Sequence, residues 1–357
     1  MSEPSTDPQV VFRCDSNSRH GFGHTARCMN LAHALRGLGA DHIAFVGDFG
    51  SFARRALEAR GFRIIDCQED QPTPQSLLDH LPPEALVVID HYGVDAEFID
   101  ALAQAQRRPV YFVDEDRYNF AHRALALISI RLEGQEMRLE RFQVPVLSGA
   151  DYLIVSPEFA GLRAQLEGQA VRQRVEHVTV FLSGTQGQFV REQQLVRALG
   201  QVTSPPSLHL ITHHAQAHQE GTRPLFGEQL SLEAPTPELA SRLAQTDLLI
   251  CGGGLLKYEA AYCGIPSAIC SVTELQHHDT RAFCAQGLAY DLGAWSQPGF
   301  EDQLVTQLTA LIDDQRLRQR LREQCHGRFR SDSTQRLANR LVTLHTEGVH
   351  HGRQSTL

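Results

Sequence analysis

The sequence lacks the basic charge, the long apolar runs and the leader features that mark several large classes of protein. Its 357 residues carry 33 Lys and Arg against 42 Asp and Glu, a formal net charge of −9, whereas a nucleic-acid-binding surface is usually basic. No apolar run reaches the ~18 residues that span a bilayer. The first ten residues lack the basic and apolar regions of a signal peptide. We therefore expect a cytoplasmic protein that neither binds nucleic acid nor inserts into a membrane.

Metal and disulfide signatures are also missing. None of the eight cysteines forms a CxxC pair with another, so we expect reduced thiols in the core rather than disulfides or a zinc site. There is no HExxH motif, no Ser-His-Asp motif and no internal repeat. We predict neither a metal nor an organic cofactor.

The length and the order of predicted elements indicate two α/β domains. Short apolar strands alternate with helices, which is typical of a doubly wound parallel sheet. We predict an N-terminal Rossmann-like domain over 1–160, a charged, Gln-rich connector over 162–175 and a C-terminal Rossmann-like domain over 176–330. Residues 331–357 are predicted as a helix, which packs back across the domain junction, and a flexible tail from 349. We expect a monomer.

The N-terminal motif is a strand, a glycine-rich loop and a helix. Val10–Phe12 is predicted as a buried strand, and the loop contains Gly21-Phe22-Gly23-His24. Helical spacing of apolar residues begins after Thr25, which we predict as the N-cap. Glycines allow a ligand to approach the backbone, and a helix N-terminus favours an anion. A tight turn between strand and helix is the alternative interpretation.

Polar residues also follow two later strands of this domain. Asp90-His91-Tyr92-Gly93 follows the predicted strand 85–89, and Asp114 follows the strand 110–113. Ligands of open α/β sheets bind at such carboxyl ends. Tyr92 is either a site residue or a packed tyrosine in a turn, and Asp114 either orients a substrate hydroxyl or caps a turn.

In the second domain, a run of three glycines separates a predicted strand from a helix. Gly252, Gly253 and Gly254 follow the strand 247–251 and precede the helix 255–262, which contains Glu259. Bare backbone N–H groups at a helix N-terminus suit a diphosphate, and a carboxylate can accept from two vicinal hydroxyls. A solvated helix residue is the alternative for Glu259.

Two further features of this domain have competing interpretations. Gly184 and Thr185 follow the strand 177–182 and are either a phosphate loop or a plain turn. His277 and His278 invite a metal site, but adjacent helix residues point in different directions. We therefore predict surface histidines at that position.

Several of these segments together resemble a known family over residues 10–300. Arg13, Asp15 and the loop Gly21-Phe22-Gly23-His24-Thr25-Ala26-Arg27 resemble the N-terminal signature of the UDP-sugar hydrolase of pseudaminic acid biosynthesis (UDP-2,4-diacetamido-2,4,6-trideoxy-β-L-altropyranose hydrolase) and its spore-coat polysaccharide relatives. The segment GGGLLKYEAAYCGIP is similar to the nucleotide-binding segment of this family and of GT-B glycosyltransferases. The resemblance implies a GT-B arrangement with the active site in the interdomain cleft.

The resemblance also implies the following functions for individual residues. His24 would be the catalytic base and Tyr92 an active-site tyrosine. The sugar would meet residues from both domains, namely Arg13, Asp15, Gly21, Gly23, Asp114 and Gln276. The diphosphate and ribose would be held by Gly184, Thr185, Gly252, Gly253, Gly254 and Glu259. The sequence departs from the family pattern at Ser129–Arg131 and at Leu275, both near the expected sugar.

The sequence thus predicts an enzyme that releases UDP from a nucleotide-activated amino sugar by inverting attack of water at the anomeric carbon. A GT-B glycosyltransferase, in which His24 deprotonates an acceptor hydroxyl, is the first alternative. A non-catalytic nucleotide-sugar-binding protein is the second, although it would have no need of His24 and Tyr92.

Overall fold

The structure is a computed structural model that describes residues 9–17, 20–67, 73–105, 107–113, 123–132, 143–183, 187–236 and 238–354. The chain divides into two compact units. Unit 1 consists of Met1–Val155 together with Asp332–Leu357, and unit 2 of Ser156–Ser331. Each unit contains one parallel β-sheet flanked by helices, as the alternating pattern of the sequence predicts.

The sheet of unit 1 has seven strands. They are β1 Val10–Cys14, β2 Ile43–Gly47, β3 Arg63–Asp66, β4 Leu86–Asp90, β5 Val110–Phe112, β6 Ala126–Ile128 and β7 Val146–Leu147. Their order is β3-β2-β1-β4-β5-β6-β7, and the described pairings are parallel. Every residue of β1, β2 and β4 is buried, because helices cover both faces of a parallel sheet.

The chain order reverses between β1 and β4. From β1 it proceeds outward through β2 to β3, then returns to place β4 on the other side of β1. The carboxyl ends of the two strands at such a switch point flank the usual binding crevice of an open α/β sheet. The loop after β1 leads into the helix that begins at Gly23 and contains His24, and Asp90 is the last residue of β4.

The helices of unit 1 are α1 Gly23–Arg36, α2 Ser51–Ala59, α3 Pro74–Leu78, α4 Ala96–Gln104 and, from the C-terminus, α13 Ser333–Gln354. The core on one side of the sheet includes Leu337, Leu341 and Leu344 of α13. The predicted flexible tail from 349 is wrong up to Gln354, because the helix continues to that residue.

The sheet of unit 2 has six strands. They are β8 His177–Phe181, β9 Ser207–Ile211, β10 Leu230–Glu233, β11 Leu248–Cys251, β12 Ser267–Ser271 and β13 Tyr290–Ala294. Their order is β10-β9-β8-β11-β12-β13, again parallel, with the switch point between β8 and β11. The helices are α5 Pro157–Leu166, α6 Phe189–Leu199, α7 Ala215–Phe226, α8 Leu239–Leu243, α9 Leu256–Tyr262, α10 Glu274–Ala285, α11 Phe300–Asp313 and α12 Gln315–Arg328.

The connector predicted over 162–175 is partly wrong, because α5 occupies its first residues. The Ser156 hydroxyl caps this helix by accepting from the Phe159 N–H at 3.3 Å, and proline is the first helical residue. Arg163 then donates to the carbonyls of Tyr262 and Phe329, both at 2.8 Å. Arg163 is one of the charged residues on which the prediction of a connector rested, and its hydrogen bonds instead hold α5 within unit 2.

Most cysteine side chains are buried. All eight cysteines are free, and all but Cys284 are buried, which confirms that most of them lie in the core. Among the described helices, none is both long and apolar enough to span a bilayer.

Candidate active site

His24 lies in the first turn of α1, beside the end of β4. Its Nδ1 is 2.6 Å from Oδ1 of Asp90. β1 and β4 are neighbours, with Cys14 opposite Asp90 in register. The loop after β1 and the end of β4 therefore meet at the switch point of the unit 1 sheet.

Arg27 holds the same carboxylate from one helical turn further along α1. Its Nε and Nη2 donate to the two oxygens of Asp90 at 2.5 and 2.6 Å. Its guanidinium lies 4.7 Å from the centre of the Phe112 ring. Burial alone would raise the pKa of Asp90, but the charges and hydrogen bonds of Arg27 and His24 hold this pKa well below its usual range. Asp90 is therefore ionised and can only accept hydrogen bonds.

The ionised Asp90 fixes the tautomer of the His24 ring. Since the carboxylate has no proton to give, Nδ1 of His24 carries the hydrogen and donates it. Nε2 is then the basic nitrogen, and it has no hydrogen bond to any residue that the structure describes. The His24 side chain is 16% exposed, and its ring meets that of Tyr92 edge-on with centroids 4.6 Å apart. Tyr92 is 46% exposed, so the ring nitrogen and the tyrosine both reach the surface.

A second histidine–aspartate pair lies beside the first and is chemically different. Nε2 of His91 is 2.6 Å from Oδ2 of Asp15, while Nδ1 of His91 accepts the N–H of Gly93 at 2.9 Å. Nδ1 is therefore unprotonated, and the Nε2 hydrogen is donated to Asp15. Because both nitrogens of His91 are occupied, only His24 of the two can serve as a general base.

Asp15 pairs with His91, and Arg13 in turn pairs with Asp15. Burial would raise the pKa of Asp15, but hydrogen bonds and charge from His91, Arg13 and the backbone of Asp48 hold it well below its usual range. Arg13 is fully buried and Asp15 is 5% exposed. The sequence predicted that both contact the substrate. The side chain of Arg13 is buried and pairs with Asp15, so its contact with the substrate stays a prediction.

The helix N-terminus differs from its prediction as well. α1 begins at Gly23, and its N-cap position is Phe22, which makes no side-chain cap hydrogen bond. Thr25, the predicted cap, is buried in the first turn, and its hydroxyl donates to the carbonyl of Asp15 at 3.4 Å. Gly21 and Gly23 are exposed. The first N–H groups of α1 are therefore uncapped and lie next to His24, as an anion-binding helix start would be.

The three glycines of unit 2 follow β11, at the switch point beside β8. A Cβ on Gly252 would lie 2.1 Å from the carbonyl oxygen of Leu182, so only glycine fits there. A Cβ on Gly253 would meet Gln276 and Thr280 at 2.9 Å, whereas one on Gly254 would meet nothing within 4 Å. The first two glycines are buried and permit close packing, whereas Gly254 is exposed.

Glu259 is half-buried on α9, three residues after its start. Burial raises the pKa of this carboxyl to about 7. The carboxyl group of Glu259 makes no hydrogen bond or ion pair to the described part of the chain. A desolvated carboxyl group without a protein partner is suited to accept from a ligand hydroxyl.

The remaining predicted site residues have simpler outcomes. Gln276 is half-buried, and its Oε1 accepts the N–H of Val272 at 3.1 Å, so its carbonyl is committed to the loop after β12. Asp114, Gly184 and Thr185 lie outside the described residues. Within the described ranges, no three His, Cys, Asp or Glu side chains come together as metal ligands.

Sequence reasoning missed Asp90 and Arg27 as parts of the site. The spacing of His24 and Arg27 puts both on one face of α1, which was a readable signal. The partner of these two residues was not readable, because it depends on β4 lying next to β1 in the sheet.

Among curated proteins, the chain is similar to the spore coat polysaccharide biosynthesis protein SpsG of Bacillus subtilis. The two are 23% identical over 319 residues, which cover 87% of this chain and 90% of that protein. An uncharacterized protein of Methanocaldococcus jannaschii is 18% identical over 276 residues, 75% of this chain, and the chain spans 56% of that relative's length. No protein-family model matches the chain.

Solved structures with the same architecture cover nearly the whole chain. MurG of Acinetobacter baumannii has a TM-score of 0.67 at 13% identity, over 94% of this chain and 100% of that one. The spinosyn forosaminyltransferase SpnP has a TM-score of 0.63 at 15% identity, over 95% and 99% of the two chains. A putative UDP-N-acetylglucosamine 2-epimerase of Listeria monocytogenes has a TM-score of 0.63 at 12% identity, over 94% and 95%. The fold, two α/β units with parallel sheets, is therefore that of the GT-B glycosyltransferases.

Proposed function

We propose that the chain is an enzyme of surface-glycan biosynthesis that hydrolyses a UDP-activated amino sugar and releases UDP. The observation that carries this proposal is the His24–Asp90 pair, in which Nε2 of His24 is basic, accessible and aligned by an ionised carboxylate. A protein that only binds nucleotide sugars has no need of such a pair. The similarity to a protein named for spore coat polysaccharide biosynthesis supports the glycan assignment.

In the proposed reaction, Nε2 of His24 takes a proton from water as the water oxygen bonds to the anomeric carbon. The bond from that carbon to the phosphate oxygen of UDP breaks, and UDP leaves with the electron pair. The products are the free sugar with inverted configuration, UDP and a proton on the His24 imidazole. Asp90 stabilises the resulting imidazolium through its 2.6 Å contact with Nδ1.

We assign the substrate contacts as follows. Tyr92 flanks the sugar beside His24, because its ring contacts the imidazole and is half exposed. Asp15, which is almost buried, orients His91 and the loop after β1 rather than the sugar. The open backbone at Gly254 faces the diphosphate, and Glu259 accepts from the ribose hydroxyls. The departure of UDP needs no general acid, because UDP leaves as a stable anion, which oriented N–H groups stabilise instead.

A glycosyltransferase is the second candidate, and a specific observation favours it. SpnP, which shares the fold, is a forosaminyltransferase by name. In this case Nε2 of His24 would take the proton from an acceptor hydroxyl instead of water. The residues and the bond broken are otherwise the same, so only the nucleophile distinguishes the two reactions.

The test is UDP release from UDP-2,4-diacetamido-2,4,6-trideoxy-β-L-altrose without an acceptor, in water enriched in ¹⁸O. Hydrolysis at the anomeric carbon predicts UDP release with the heavy oxygen in the sugar and none in UDP. H24Q should lower the rate by roughly 10²–10⁴-fold. The exposed His42 provides the matched control, and H42Q should retain the wild-type rate.

Other outcomes identify the alternatives. UDP release that appears only when a sugar or lipid acceptor is added would replace the hydrolase with the transferase. Binding of UDP-sugars without turnover, unchanged in H24Q, would leave a binding protein and overturn the proposal.

A further inference from the structure

A surface cavity of about 270 Å³ lies at the edge of the unit 2 sheet, beside the last strand β13. Its polar wall residues come from α10, from β13, from α11 and from the turn before α11; they are His277, Arg281, Asp291, Gln297, Gln303 and Gln307. We call it the edge cavity. β12 separates β13 from β11, and none of the residues assigned above to nucleotide-sugar binding lines it.

His277 lines the edge cavity and carries a buried hydrogen-bond donor. The Gln297 amide is oriented by its Oε1, which accepts the N–H of Ala294 at 3.3 Å, so its Nε2 faces the His277 ring. That amide nitrogen donates to Nε2 of His277 at 2.9 Å. Nδ1 of the neutral ring must then carry the hydrogen. His277 is 7% exposed, and its Nδ1 is buried without a hydrogen-bond partner in the described chain.

The prediction that both histidines of this pair are surface residues is therefore half wrong. His278 is exposed, but His277 is buried. A buried N–H without an acceptor costs about 1–3 kcal/mol. An acceptor supplied from the cavity would remove this cost.

Two opposite charges face the edge cavity without pairing. Arg281 is exposed, and its side chain forms no hydrogen bond or ion pair with the described residues. Asp291 is half-buried, and its Oδ1 accepts the N–H of Gly293 at 2.8 Å. It forms no ion pair within the described ranges. A fourth group, Oε1 of Gln307, is a buried acceptor without a partner there.

The wall of the edge cavity carries both donors and acceptors. Arg281 and His277 supply positive charge and an N–H, whereas Asp291 and Gln307 supply negative charge and a carbonyl oxygen. The Phe300 ring and Pro298 add apolar surface to the wall. The volume is just below the ~300 Å³ at which pockets for drug-sized ligands begin, so the occupant is small.

We propose that the edge cavity binds a small zwitterion of the α-amino-acid class. Its carboxylate would pair with Arg281 and accept from Nδ1 of His277. Its ammonium group would donate to Asp291 and to Oε1 of Gln307. This site is separate from the proposed reaction, so its test does not depend on the identity of the sugar.

The test is a binding survey of the twenty L-α-amino acids by saturation-transfer NMR on the full chain, followed by calorimetry on the tightest. The tightest amino acid is then compared with its deaminated acid and its decarboxylated amine, each of which lacks one charge. Each analogue should bind at least about tenfold more weakly, since each loses a charge-assisted hydrogen bond. In the wild-type protein, the His277 Nδ1 resonance should shift on binding, a readout that needs no variant.

Substitutions in the cavity wall provide the second arm. R281Q and D291N should each weaken amino-acid binding at least about tenfold, while R320Q and D313N, at exposed positions outside the cavity wall, should not change it. Circular dichroism and urea denaturation of R281Q and D291N verify that both variants are folded. The proposal is overturned if no amino acid binds at millimolar concentration, if the one-charge analogues bind equally well, or if His277 does not respond.

Discussion

Replacing Asp90 by asparagine tests how the candidate catalytic base is aligned. The carboxylate accepts from His24 and from both Nε and Nη2 of Arg27. Asparagine has the same shape but only one acceptor oxygen. With that oxygen towards His24, the amide N–H₂ opposes Nε of Arg27. With the amide reversed, the N–H₂ opposes His24, whose Nδ1 must then accept, and Nε2 becomes a donor.

The magnitude of the effect follows from burial. Asp90 is 2% exposed and Arg27 5% exposed, so the substitution leaves a buried guanidinium with its pairing broken. Such a loss typically costs about 3–5 kcal/mol of the free energy of unfolding, against a total of about 5–15 kcal/mol. The turnover rate should fall by roughly 10²–10⁴-fold, the usual contribution of a positioned general base.

Urea denaturation and UDP release separate these two effects. The rate is measured without urea, where a protein that retains a few kcal/mol is still folded, and is expressed per folded molecule. The depressed pKa of Asp90 adds a pH signature. The wild-type protein should lose this part of its stability as the pH falls below about 3.8, the pKa of a free aspartate, whereas D90N should not. A D90N protein with wild-type stability and turnover would refute the alignment of His24 by Asp90.

Three further predictions concern other parts of the chain. Burial raises the pKa of Glu259 to about 7, from the ordinary value of 4.5. The contribution of this group to the free energy of unfolding is therefore fully present below about pH 4.5 and is lost as the pH rises to about 7. Conversely, UDP-sugar binding to the wild-type protein should weaken up to about tenfold per pH unit below pH 7. Calorimetry at several pH values measures this affinity, and only E259Q should give a flat profile. A flat profile for the wild-type protein would contradict the prediction. G252A should destabilise by about 1–3 kcal/mol in urea denaturation, because its Cβ would meet the Leu182 carbonyl, while G254A, at an open position, serves as its control. L341A, in the core of unit 1, should lower the free energy of unfolding by about 2–5 kcal/mol. V342A, at a position that is 39% exposed, should change it by no more than about 0.5 kcal/mol. Equal losses in the two variants would contradict the packing of α13 in that core.

The sequence alone determined the local elements of this protein. Apolar runs such as Val10–Phe12 and the helical spacing after Thr25 are short-range patterns, and they predicted β1 and α1. The same local reasoning located His24 at the start of a helix and three glycines at the end of β11. Helix ends were less readable. The prediction relied on a capping side chain and chose Thr25, whereas α1 begins at Gly23 and has no side-chain cap.

Tertiary structure decided which side chains meet. Asp90 aligns His24 because the chain returns from β3 to lay β4 beside β1, and no spacing along the sequence encodes that pairing. Two similar His–Asp pairs then differ because the N–H of Gly93 occupies one ring nitrogen of His91. The fold likewise buried Arg13 against Asp15 and placed His277 in a cavity wall. These outcomes depend on long-range contacts, which fix the desolvation and the partner of each polar group.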